Sequence, residues 1–291
     1  MTSIEMHTNL KLEIDKSDTL DSIGFEEEEL DYWLNSAIKT LVKTKYSGSG
    51  SSKAFEQNQK RIDDLRTLVY EDDITVTRGI LDNDKPNSYK ALLSSTSQTY
   101  WFALSEEIDI VYQSGTTTVP SGSLEVGSTY LVDVVGTPAP VLADLIHDGT
   151  DYHHGDYFLA ANANYTIQGG TTVNVYLCTS LRQGISETTS DTYRQEIDNP
   201  YSEHVFENNK AKPLRLFNNL NVELITDGNY GVFTYYLRYL KEPRVLEYNV
   251  TDSDLPEHTH DEVVKLAAKM ILENTENPRY RTYLNEISGT E

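Results

Sequence analysis

Basic residues are scarce: 24 Lys and Arg stand against 46 Asp and Glu, a net charge of −22. A surface so acidic repels phosphates, which excludes a groove built to grip nucleic acid. It does not exclude a wall past which nucleic acid slides without sticking. Cysteine is nearly absent, and Cys178 alone excludes an internal disulfide framework and a Cys-based zinc site. No run approaches the roughly 18–20 apolar residues that span a bilayer. Met1 to Asp21 lacks the apolar core of a signal peptide, so the chain reads as cytoplasmic when made, with no membrane partner. The signatures G-x-G-x-x-G, P-loop, G-x-S-x-G and H-E-x-x-H are all missing, so neither a catalytic set nor a cofactor is expected. Phenylalanine is also thin, 7 against 20 tyrosines. Tyrosine suits both subunit interfaces and exposed strands.

What is present is a helical signal at each end. Leu30, Trp33, Leu34, Ala37, Ile38, Leu41 and Val42 follow helical spacing behind a run of glutamates from Glu26, which complements the helix dipole. Val263, Val264, Ala267, Met270 and Ile271 repeat the pattern near the C-terminus. Thr259 and Glu262 read there as a capping box, and Pro278 as a stop. Neither helix is stable on its stripe alone, so the two are expected to dock on each other, with Leu30, Trp33, Leu34, Ile38, Leu41, Val263, Ala267, Met270 and Ile271 as the packing. Lys53 to Val69 reads as a further helix with Phe55, Ile62, Leu65 and Val69 on its apolar side.

Strands fill the middle. Leu10, Leu12 and Ile14 alternate with charged residues and read as a short edge strand in an N-terminal arm, able to pair with its own sheet or a neighbouring subunit. Ile74 to Val76, Tyr100 to Leu104 and Glu107 to Tyr112 are predicted strands. Residues 113–182, rich in Gly, Thr, Ser and Pro, read as an inserted β module containing Tyr130 to Val135 and Asp156 to Ala161, and a hairpin from Tyr165–Gln168 to Thr171–Thr179 across Gly169-Gly170. Ser186 to Asn209 reads as a surface loop with one short helix. A second hairpin is predicted from Asn221–Thr226 to Tyr230–Leu240 across Asp227-Gly228. The expected class is α+β: a helical core carrying antiparallel strands and an inserted β domain. Its parts are an arm (1–24), the first part of the core (25–112), the module (113–182) and the second part of the core (183–291).

The histidines deserve weighing as ligands. His258 and His260 form H-x-H beside Asp261 and Glu262, and His153 and His154 stand near His147 and Asp156. A lone H-x-H lacks a third ligand, and adjacent residues of an extended strand point to opposite faces. Solvated loop histidines are the favoured reading, with no metal.

Two separated blocks carry a resemblance. YWLNSAIKTLVKTKYSG with KAFEQNQKRIDDLRTLV resembles the opening of the head–tail connector (ring or adaptor) proteins of crAss-like phages that infect Bacteroidales. YYLRYLKEPRVL and DSDLPEHTHDEVVKLAAKMILENTENPRYRTYL are similar to their closing part. Together the blocks cover residues 30–80 and about 230–285. The resemblance implies a virion structural protein, made in the bacterial cytoplasm, whose copies form a ring (a dodecamer, matching the portal) in the neck of a podovirus. Its partners would be itself, the portal protein and other neck or tail proteins, and DNA would pass the lumen during ejection without specific binding. It further implies that the C-terminal tail, with Tyr280, Arg281, Tyr283 and Leu284, enters the portal, and it suggests the arm (Leu10, Leu12, Ile14) as a bridge between subunits. Two rival readings remain open: a module at 113–182 that recognises a tail fibre or host glycan on an oligomerising base, and a metal-dependent hydrolase using His147, His153 or His154.

Overall fold

A computed structural model describes residues 1–15, 24–47, 59–78, 87–135, 145–153, 155–167, 172–207, 209–218 and 221–275. The chain divides into two compact units, Met1–Tyr70 with Tyr239–Glu291, and Glu71–Arg238. The second is thus inserted in the first, and it is longer than the module read at 113–182.

The first unit is helical. It contains α1 (Ser3–Asp15), α2 (Glu27–Ser47), α3 (Gln59–Leu65) and α5 (His260–Asn274). α2 buries Leu30, Leu34, Ala37, Ile38, Leu41 and Val42, and α5 buries Val263, Val264, Ala267, Ala268, Ile271 and Leu272. The two pack on each other, and α1 lies on both. Trp33 and Met270 are half-buried at the margin. Each Leu or Ile so covered contributes roughly 1.5–3 kcal/mol. Asn35 acts as a backbone mimic: its Nδ2 donates to Leu246 O (2.9 Å) and its Oδ1 accepts from Leu246 N (2.8 Å), seating the segment before α5 on α2.

Three local expectations fail here. The arm is a helix, not a strand. Thr2 and Glu5 form a reciprocal capping box, with Thr2 N donating to Glu5 Oε2 at 2.8 Å and Glu5 N to Thr2 Oγ1 at 3.3 Å. Ser3, Met6, His7 and Leu10 then make a buried stripe at i, i+3, i+4, i+7. The alternation of Leu10, Leu12 and Ile14 is incidental to that stripe. Thr259 does not cap α5 through its side chain; a 3₁₀ turn, Glu257–Thr259, precedes the helix, and Thr259 Oγ1 donates back to Pro256 O at 2.8 Å. The helix read from Lys53 to Val69 ends at Leu65, and Val69 already opens a strand; Phe55 and the first residues lie outside the described set.

The whole chain is not a helical core carrying a small β insert. Among the described residues, 14 strands in three sheets outnumber five α-helices, so the class is mostly β. The strands are β1 (Val69–Thr75), β2 (Thr77–Arg78), β3 (Ser88–Leu92), β4 (Tyr100–Thr118), β5 (Thr129–Val135), β6 (Leu145–His147), β7 (Thr150–Tyr152), β8 (Tyr157–Leu159), β9 (Thr166–Ile167), β10 (Thr172–Gln183), β11 (Ser186–Glu187), β12 (Leu214–Asn218), β13 (Asn221–Ile225) and β14 (Gly231–Lys241). α4 (Tyr193–Ile197) lies between β11 and β12. The sheet orders are β1-β14-β4-β10-β5-β8, β11-β12-β13-β3-β2 and β7-β6-β9. The boundary between the units falls inside β1 and β14. The expected strands at 100–104 and 107–112 are one long strand, β4, paired with β10 in the register Asp109↔Arg182.

Among the described residues neither predicted hairpin forms. β9 pairs with β6, while β10 pairs with β4 and β5. β13 pairs with β12 and β3 in the five-stranded sheet, while β14 belongs to the six-stranded one. Asp227-Gly228 does turn the chain, but it hands the chain between sheets. Asp227 accepts from Phe206 N and Asn229 N, both at 2.9 Å, and Gly228 adopts φ +91, which favours glycine.

In the five-stranded sheet the register puts Arg215, Leu224 and Tyr89 in one row, and Phe217, Val222 and Ala91 in a row on the same face. The other face carries Leu214, Leu216 and Ile225, covered by Tyr193 and Ile197 of α4. A separate cluster, including Leu124, Tyr130, Val132, Phe158, Val173 and Val175, fills the region read as the β module.

Candidate assembly surfaces and polar clusters

The histidines serve structure. Ala161 N donates to His147 Nε2 (2.9 Å), so the Nδ1 proton goes to Asn164 O (2.8 Å). That ring is neutral, buried, and has no lone pair left for a metal. His153 is exposed beside Asp156, and His154 lies outside the described residues. His258 and His260 point apart: one meets Asp64 Oδ1 at 3.0 Å, the other is buried and donates to Leu255 O at 2.9 Å. Among the described residues no three His, Cys, Asp or Glu converge on a possible cation. Burial pushes the Cys178 thiol up to about 12, so it is an inert core residue.

Two ionic clusters organise the helical unit. Lys45 of α2 reaches Asp64 of α3 and Glu262 of α5, both at 3.0 Å, and His258 adds a second contact to Asp64. Glu262, read from the sequence as half of a capping box, is used here instead. Burial works against the Lys45 charge, yet hydrogen bonds to Glu262 and Asp64 leave its pKa raised. In the second cluster Asp254 receives Lys241 Nζ (2.9 Å), Arg244 Nε (2.6 Å) and Arg244 N (3.2 Å). Burial alone would raise its pKa, but these donors outweigh it and the net shift is downward.

The β unit holds a buried polar seam between two sheets. Glu106 of β4 accepts from Tyr235 of β14 and from Arg215 Nη1 of β12. Arg215 Nη2 reaches Glu187 of β11 at 3.1 Å, and its guanidinium lies 4.4 Å over the Phe217 ring. Burial raises the Glu106 pKa, with Tyr235 and Arg215 pulling the other way. Burial likewise drives Tyr235 far above an ordinary phenol, so it acts only as a neutral donor. Nearby, Tyr89 and Tyr157 press on the backbone of Gly231: a Cβ there would meet Tyr157 Cε2 at 2.3 Å and Tyr89 Oη at 2.9 Å. The same burial pushes the Tyr89 phenol up to about 12. Neither the seam nor this contact was expected from the sequence. A trace existed in the parity of the strands, since Glu106 shares a face with Ile108 and Ile110, and Arg215 shares one with Phe217.

The residues singled out for assembly are distributed differently. Leu10 is spent inside its own unit, Ile14 is half-buried, and only Leu12 stays exposed. Tyr280, Arg281, Tyr283 and Leu284 lie outside the described residues. The surface adds anchors the sequence did not flag. Tyr32 on α2 projects outward with its ring 5.2 Å from Trp33. Tyr201, after α4, is 93% exposed. An open concavity of about 570 Å³ is walled by the loop joining β3 to β4, from Leu93 to Tyr100. No helix among the described residues is long and apolar enough to cross a membrane. No protein-family model matches the chain, and no curated protein matches it either.

Proposed function

We propose that this chain is a non-enzymatic virion protein that forms a ring in the head–tail connector of a crAss-like podovirus, below the portal. The observation that carries the reading is the pair of sequence blocks at 30–80 and about 230–285 that resemble such connectors. They come from opposite ends of the chain, and most of both falls in one compact helical unit in which α2 packs on α5. A unit built from both ends with a β unit set into it leaves surfaces of either unit able to meet a neighbouring copy. The net charge of −22 suits a channel wall that DNA passes without adhering. In this reading the ring is dodecameric, its partners are the portal and later neck or tail proteins, and the tail with Tyr280, Arg281, Tyr283 and Leu284 meets the portal. Of Leu10, Leu12 and Ile14, Leu12 alone keeps an exposed side chain for a neighbour.

The test is co-assembly of the full chain with the portal protein, followed by electron microscopy. Twelvefold rings stacked on the portal are expected, and deletion of 278–291 should abolish stacking. Full chain that ignores the portal at micromolar concentration would reject the reading, and stacking untouched by the deletion would reject the role of the tail.

A further inference from the structure

We propose that Tyr201 of one copy inserts into the concavity walled by residues 93–100 of the next copy, a head-to-tail contact through which copies of this chain join. The inference rests on the ring reading above and names the contact it needs. A ring requires a heterologous interface, with a knob and a hole on different parts of the same chain. The chain supplies both.

The knob is preformed. Asn199 Oδ1 accepts from Tyr201 N at 3.1 Å, Asn199 O accepts from Ser202 N at 3.1 Å, and Ser202 Oγ donates to Glu196 at 3.0 Å. Pro200 fixes a backbone angle inside the same turn. The phenol at its tip is 93% exposed, a large apolar area left in water on a turn already ordered. An aromatic anchor on a rigid turn loses little entropy when it docks.

The hole is preformed as well. A 3₁₀ turn, Leu93–Ser95, begins it. Thr96 Oγ1 is shared between Leu93 O (2.8 Å) and Gln98 O (2.7 Å), and Asp72 accepts from Ser97 N (2.7 Å) and Oγ (3.0 Å). Leu93 and the half-buried Tyr100 give an apolar floor, while the exposed hydroxyls of Ser94 and Thr99 have no protein partner among the described residues. An aromatic ring with one hydroxyl matches such a lining, since a buried phenol needs a hydrogen-bond partner. Its volume, about 570 Å³, admits the ring together with part of the turn that carries it.

Charge selects a second copy as the occupant. Copies bearing −22 each repel, so they can meet only where local charge is low. Residues 91–105 contain no charged side chain, and neither does 199–202. Three acids that border the two patches are already engaged, Asp72 by Ser97, Glu196 by Ser202 and Glu203 by Lys212, which lowers the free charge opposing two copies that meet there.

The test uses full chains carrying Tyr201→Ala or Thr99→Glu, both surface changes, with folding checked by circular dichroism and association followed by sedimentation equilibrium. Wild-type chains should associate, and each variant alone should associate about thirtyfold more weakly, the loss typical of an interface hot spot. Tyr201→Phe should stay within a few fold of wild type. Mixing the two variants is decisive, because one keeps the knob and the other the hole: the mixture should form heterodimers and stop there. Wild-type assembly with both variants unaffected, or a mixture that forms no heterodimer, overturns the knob-and-hole contact and leaves the ring reading standing. Wild-type chains that never associate, even with portal present, overturn both.

Discussion

Arg215 and Glu106 show what an inward polar residue costs and secures in a β unit. Their pairing holds β12 against β4, with Tyr235 donating to the other oxygen of the carboxylate. Arg215→Ala would leave Glu106 buried beside a phenol alone, a loss expected at about 3–5 kcal/mol. The double variant Arg215→Met with Glu106→Gln should recover most of that loss, and urea denaturation of both proteins measures it. Equal losses in single and double variants would mean that the seam acts through packing rather than charge. Gly231 makes a steric prediction: Gly231→Ala should cost about 1–3 kcal/mol because Tyr157 and Tyr89 occupy the space. Gly184→Ala, whose added carbon meets nothing within 4 Å, is the control and should be near neutral. Asp254 makes a pH prediction. Its folded pKa lies below the ordinary 3.8, so its stabilisation is complete above that value and is lost as pH falls through the folded one. Asp254→Asn should therefore flatten the acid limb of the stability profile below about pH 4. Glu106 has the opposite sign, its raised pKa removing stability as pH rises from the ordinary carboxylate value, so the two limbs are separable by mutation.

At the scale of elements, α1 is the sharpest lesson about what the sequence holds. Residues 10–14 satisfy a period of two, but Ser3, Met6, His7 and Leu10 satisfy a helical period over a longer window, and Thr2-x-x-Glu5 marks its start. A short alternation was outweighed by a longer stripe and a cap. The two readings differ in a measurable way. A strand puts Leu10 and Leu12 on one face, whereas the helix buries the first and exposes the second. Leu10→Ala should cost about 2–5 kcal/mol and Leu12→Ala less than about 0.5 kcal/mol in thermal or urea melts. Equal costs would contradict the helix. The apolar stripes of α2 and α5 were legible because four turns of period 3.6 leave little ambiguity. Strand positions were legible where alternation or an apolar run was long, as at Tyr130 to Val135 and Tyr230 to Leu240, but β3 and β12 were not expected, and strand partners were not legible at all. Gly169-Gly170 and Asp227-Gly228 signal turns, and a turn does not say whether the next strand stays in the same sheet. That choice belongs to long-range pairing, such as Asn221↔Leu92 and Val222↔Ala91, which no local pattern encodes.

For the whole molecule, the two ends of the chain announce themselves strongly while the β unit between them is written in short, weak patterns. A reading weighted by signal strength therefore makes the protein more helical than it is. The polar seam escaped notice because parity with Ile108 and Ile110 is a faint mark for one Glu among 46 acidic residues, and its partner Arg215 is fixed only once the strands are paired. The proposed contact was not legible in the sequence: Tyr201 is one tyrosine of 20, and its exposure of 93% marks it only in the structure. The central claim concerns where the protein sits, so the most direct measurement is antibody labelling of virions, intact and with tails partly stripped, viewed by electron microscopy. Label confined to the single tail-bearing vertex, on intact or stripped particles, is the predicted result. Label spread over the capsid, or none on either preparation, would contradict a connector ring.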